Sequence, residues 1–122
     1  MIRKKITDSF YEADIEIIVN CTALDVEKVV MDEFGFRVDQ RDCDATMLKV
    51  GNHTKLKRII YINEFDWSIP KQGLLFHEVI HVTCDVLGDL GMKCTSDSEE
   101  AYAYYGQMIY MACLGALKEL RE

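Results

Sequence analysis

Proline is almost absent from this chain and glycine is scarce, at one and seven among 122 residues. That composition excludes collagen-like and Pro/Gly-rich disordered chains. No run of about 18 or more apolar residues occurs, so no membrane-spanning helix is expected. The start of the chain is basic, but no apolar run or small-residue cleavage site follows it, so no secretion signal is expected. There is no CxxC pair. The five cysteines, Cys21, Cys43, Cys84, Cys94 and Cys113, are odd in number and widely spaced. They read as free thiols in a reducing cytoplasm. Basic residues are the minority, 14 against 21 acidic, for a net charge of -7. A phosphate backbone is repelled by such a surface, so neither nucleic acid nor a membrane is an expected partner, and the charge serves solubility.

What is present is a large apolar fraction, 49%, enough for one core in a single domain spanning 1–122. Residues 13–20 (ADIEIIVN) are rich in β-branched side chains and predict a strand. Thr22 and Asp25 resemble a capping pair at the start of a helix, which Gly35 ends through its tolerance of the left-handed conformation. Residues 38–44 read as a loop. Residues 46–50 and 58–63 predict two strands, joined as a hairpin across 51–57. Pro70 suits the first turn of a helix capped by Asp66 or Ser68 and running to about Leu87, with Gly88 and Gly91 beyond it. Ser96 to Glu99 has the capping-box form, so another helix is expected from about Asp97 to Leu120, apolar on most sides and buried. The expected order is β-α-β-β-α-α, a small α+β domain: a short antiparallel or mixed sheet packed on the helix at 70–87 and on a buried C-terminal helix.

One motif carries chemistry. His77-Glu78-Val79-Ile80-His81 is an HExxH sequence. Residues four apart stack on one helix face, so both imidazoles can reach one metal ion at about 2.0–2.1 Å. Glu78 lies about 100° round the helix, within reach of a water held by that metal. Zinc lowers the pKa of such a water towards about 7, and Glu78 would take its proton and pass it to a leaving amine. By chance HExxH arises in roughly one chain of this length in a few hundred. The motif also sits inside a helix signal, among apolar neighbours, and uses two of only three histidines. One zinc ion per chain is therefore expected, at His77 and His81. A catalytic site usually adds a third protein ligand. The metzincin pattern needs His at position 87, where Leu87 stands, so that family is excluded. Glu99 and Glu100 are the candidates on the next helix. If Ser96 is its N-cap, Glu99 turns back to cap and Glu100 is free for metal; if Asp97 is the cap, the roles swap.

HEVIH followed by SEEAYAYYGQ resembles the gluzincin arrangement of thermolysin-like enzymes, an HExxH helix with a downstream helical glutamate. More closely it resembles the small phage- and prophage-encoded zinc metallopeptidases sometimes called minimal gluzincins. These carry an acidic residue shortly before an Ala-Tyr pair, matched here by Glu100-Ala101-Tyr102. The likeness covers residues 74–111; upstream it lies only in element order. It implies a zincin-like domain, Glu100 as third ligand, a peptide or protein substrate, and a host cytoplasm as the compartment. An oxyanion stabiliser is also needed for peptide hydrolysis. Tyr104, one turn after Glu100, is the first candidate, with Tyr102, Tyr105, Tyr110 and His53 behind it. Cys84 is read as a small buried hydrophobe rather than a soft ligand, and Asp85 as a brace for a histidine or a solvated carboxylate. Trp67 lines a pocket or packs in the core. Residues 58–63 offer a sheet edge to an extended peptide if that strand lies at the edge. The alternative to a peptidase is a zinc-stabilised phage-type binding or inhibitor protein without activity.

Overall fold

Alternation along two strands sets the architecture seen in the computed structural model, which describes residues 1–35, 37–38, 43–51 and 54–121. Strand β2 (Ile15–Val19) is buried throughout, and β4 (Leu56–Ile62) is buried after its first residue. Their odd and even positions feed two different cores. Ile15, Ile17, Val19, Ile60 and Ile62 pack with Leu75, Val79, Val82, Tyr105 and Ile109. Ile18, Ile59 and Tyr61 pack with Val26, Val29 and Val30. A strand apolar on both sides needs a helix on each face. Helix α1 (Ala23–Phe34) covers one, and α2 (Ile69–Asp89) and α3 (Glu99–Ala116) cover the other.

The sheet is four-stranded and mixed, in the order β1-β2-β4-β3. β1 (Ile2–Ile6) pairs antiparallel to β2, β2 runs parallel to β4, and β3 (Ala45–Gly51) forms the antiparallel hairpin with β4. An α+β domain is thus present, with β1 as an addition to the expected order. IRKKI carries three exposed charges between two isoleucines. Such a pattern suits an edge strand, where charge discourages pairing with another chain. Arg3 makes this edge specific by gripping Glu16 of β2 at 2.5 Å.

Local signals place the helices. Thr22 caps α1 with the reciprocal Asp25 bonds of a capping box, and Gly35 closes it at φ 76°. Ser68 is the N-cap of α2 with Pro70 in its first turn, and the helix continues through Gly88 to Asp89. α3 begins later than expected. Its N-cap is Ser98, without a side-chain capping bond, so neither Ser96 nor Asp97 plays that part. The Ser98 hydroxyl is engaged by the Thr95 amide at 2.9 Å in a turn that precedes the helix. α3 also buries one stripe rather than most of its surface: Tyr105, Ile109 and Cys113 are buried, while Tyr104 and Met111 are 60% and 61% exposed. No helix among the described residues is long and apolar enough to cross a membrane.

One buried polar knot ties α3 to the β1–β2 connection. The Tyr105 hydroxyl donates to Asp8 at 2.8 Å. Asp8 also accepts from the amides of Phe10, Tyr11 and Ala13. Burial opposes the Asp8 charge, but these donors together hold its carboxyl below the usual range. Burial, helped by the same contact, pushes the Tyr105 hydroxyl well up. Tyr105→Phe is expected to cost about 1–3 kcal/mol at pH 7, as a bond to a charged group. An acid whose folded pKa is depressed stabilises above its unfolded value and loses that contribution as pH falls through the folded one. The penalty of Tyr105→Phe should therefore shrink below about pH 4. Urea unfolding at pH 7 and pH 3 reads both values.

Candidate metal centre

Helix α2 presents three flanks. Leu75, Val79, Val82 and Val86 face the sheet and are buried. Thr83 meets α3, where a Cβ on Gly106 would come within 3.3 Å of its Oγ1. On the remaining flank stand His77 and His81, with Glu78 between them and the core. These three side chains form the group of potential metal ligands found among the described residues, their ligand atoms all within 4.8 Å of one another. They line a pocket of about 390 Å³ with Ala45, Thr46 and Met47 of β3.

The two Nε2 atoms are 3.2 Å apart and the rings are set edge to face at 74°. Two nitrogens each 2.0–2.1 Å from one tetrahedral zinc lie about 3.3–3.4 Å apart. The pair thus stands close to a chelating geometry. The same spacing also permits one N–H···N hydrogen bond between neutral rings, so it is the third member that discriminates. Glu78 is 4% exposed, and its Oε2 is buried without a hydrogen-bond partner among the described residues. Its Oε1 lies 4.0 Å from His77 Nε2. Burial pushes the Glu78 carboxyl upward, against the pull of His81 and His77. A buried carboxylate without a donor is costly, and a structure that keeps one points to a use for it. The oxygen that stands toward the pair is Oε1, 4.0 Å from His77 Nε2.

The other expected site residues lie elsewhere. Glu99 and Glu100 are both exposed in the first turn of α3, and neither joins the histidine group. Tyr104 sits in a shallow depression with Phe10 and Met111, apart from the histidine pocket. Tyr105 is buried against Asp8, Tyr102 donates to the Met92 carbonyl, and Tyr110 stacks edge-on against Phe76. His53 lies outside the described residues. Cys84 is exposed rather than buried. Asp85 braces no histidine among the described residues; its carboxylate accepts from Arg58 Nε at 2.6 Å. Trp67 packs beside Phe65 with Arg121 over its ring.

The strand expected as a sheet edge is internal. β4 has partners on both sides, and the free edges belong to β1 and β3. It is β3 that borders the histidine pocket. Nothing local in residues 45–47 marks them as pocket-lining, because edge position follows from strand order. Comparison with protein-family models, curated proteins and solved structures returned no match.

Proposed function

We propose that this chain is a zinc-dependent metallopeptidase of zincin-like build, with His77 and His81 as metal ligands and Glu78 as general base. The observation that carries the reading is the buried Glu78 carboxyl, with one oxygen lacking a hydrogen-bond partner among the described residues, beside an imidazole pair spaced for one ion. A structural zinc site is normally closed by four protein ligands and has no need of such a group. When bound, zinc supplies Lewis acidity, polarising the scissile carbonyl and acidifying the attacking water.

The protein's own groups do the rest. Glu78 accepts the proton of the attacking water as the new C–O bond forms. Burial raises the Glu78 carboxyl above an ordinary one, which favours taking that proton, and Glu78 returns it to the amine as the C–N bond breaks. The imidazoles, fixed on successive turns of a 21-residue helix, keep their spacing through the cycle. Glu100 enters as third ligand on the family resemblance alone.

The test is metal content together with cleavage of a mixed peptide library. Zinc near about one per chain, with cleavage, is expected of the wild type, and both should be lost in His81→Ala. Glu100→Gln should lower zinc occupancy where Glu99→Gln leaves it unchanged. Zinc retained by Glu100→Gln overturns that ligand assignment. Zinc bound without any cleavage favours the binding-protein alternative, and a chain purified without chelators that takes up no zinc sinks the metal site itself.

A further inference from the structure

The outer side of the helical layer carries a further concavity. Between α2 and α3 runs an open trough of about 540 Å³. Phe76 and Ile80 wall it on α2, and Ala103, Gly106 and Tyr110 line it on α3. Its size falls within the usual range for ligand sites. No charged side chain lines it among the described residues. Two of its hydroxyls are engaged, that of Thr83 on the Val79 carbonyl at 2.8 Å and that of Tyr102 on the Met92 carbonyl, and the rest of its polar lining is the thiols of Cys84 and Cys94, the Gln107 amide and the Tyr110 hydroxyl. An occupant of this trough is therefore uncharged and apolar.

Its position relative to the histidines says what that occupant is. Phe76 directly precedes His77, and Ile80 directly precedes His81. Each lies about 100° round the helix from the histidine that follows it. On a helix about 10–12 Å across, that arc is roughly 9–10 Å. An extended peptide covers the distance in about three residues at roughly 3.3 Å each. Phe76 and Ile80 are 51% and 44% exposed, which makes an apolar wall open to solvent beside the metal pair. A second copy of this chain is a poor occupant, because each copy carries the same net charge of -7.

We propose that the α2–α3 trough is a specificity subsite for one bulky apolar side chain of the peptide bound at His77 and His81, two or three residues from the scissile bond. The inference rests on the peptidase reading for its choice of ligand. It makes the substrate class a peptide with Phe, Leu or a similar residue at that remove.

The test uses zinc-loaded, 15N-labelled Glu78→Gln protein and two nonapeptide probes, one of alanines and one with a single central Phe. The Phe peptide should shift the amide resonances of Ala103 and Gly106, and the alanine peptide should not. Ala103→Leu narrows the trough and Ala103→Glu charges it, both at an exposed helical position. Each should weaken binding of the Phe peptide by about tenfold or more. Cleavage by the wild type should then fall two or three residues from the Phe. Shifts confined to the His77 and His81 region, or binding unchanged in both Ala103 variants, overturn the subsite. Resonances of Ala103 and Gly106 that move with protein concentration alone assign the trough to self-association and also overturn it. Zinc alone reports on the metal reading separately: if it leaves His77 and His81 unmoved while the Phe peptide still shifts Ala103 and Gly106, the peptidase reading falls and the apolar site stands.

Discussion

Glu78→Gln is expected to abolish peptide cleavage while zinc binding survives. The amide is nearly isosteric with the carboxylate and leaves His77 and His81 unchanged, but it cannot accept and return a proton. A positioned acid–base group contributes about 10²–10⁴ in rate, so activity should fall to about 1% or less. A second consequence separates a functional carboxylate from a structural one. Glu78 is 4% exposed and has an oxygen without a donor among the described residues. Burial already disfavours its charge. Replacing the carboxyl by an amide should make metal-free Glu78→Gln melt higher than the wild type at pH 7, since a buried carboxyl oxygen without a donor is the costlier burden. Calorimetry after dialysis, paired with a peptide assay after zinc reloading, reads both effects. A variant that still cleaves at a tenth of the wild-type rate removes Glu78 as the base. A variant that melts lower shows that Glu78 earns its place through contacts instead.

The parts of the fold that were legible in the sequence are those specified within a few residues. The Thr22–Asp25 pair and Gly35 bound α1 as expected, because a cap is made by neighbours. Pro70 marks the first turn of α2, and the four-residue spacing of His77 and His81 fixes their approach on that helix. What was not legible depends on distant partners. IRKKI becomes a strand only because β2 offers an edge and Glu16 a partner for Arg3. The flank of α2 that α3 occupies is decided where Gly106 meets Thr83, 23 positions apart by number. That choice sets α3 against the trough flank, and counting from Ser96 could not foresee it. The start of α3 moved for a local reason that counting from Ser96 did not weigh: the Ser98 hydroxyl is used by the Thr95 amide in a turn before the helix. Asp85 looked free to brace a histidine because its partner, Arg58, lies on another element.

That partner leads to the largest stability effect expected here. Arg58 is a charged residue within β4, its side chain only 6% exposed. It donates through Nε to Asp85 at 2.6 Å and through its terminal nitrogen to Asp89 at 2.6 Å. Lys49 of β3 reaches the same two carboxylates. Asp85 and Asp89 are 27% and 46% exposed, so the burden of burial falls on the guanidinium rather than on its partners. Removing either side of this cluster is therefore not equivalent. Arg58→Met leaves two half-solvated carboxylates that keep Lys49 and water, and should cost no more than about 1–2 kcal/mol. Asp85→Ala with Asp89→Ala strands a buried guanidinium, and should cost about 3–5 kcal/mol. Two local effects oppose that loss. Alanine favours helix over aspartate, and fewer negative charges in the last turns of α2 suit its dipole. A measured loss is then a lower bound on what the carboxylates do for Arg58. Urea denaturation of the two variants decides it: the double alanine should unfold at clearly lower denaturant than Arg58→Met. The reverse order would mean that the guanidinium finds water without its partners and that β4 tolerates it there.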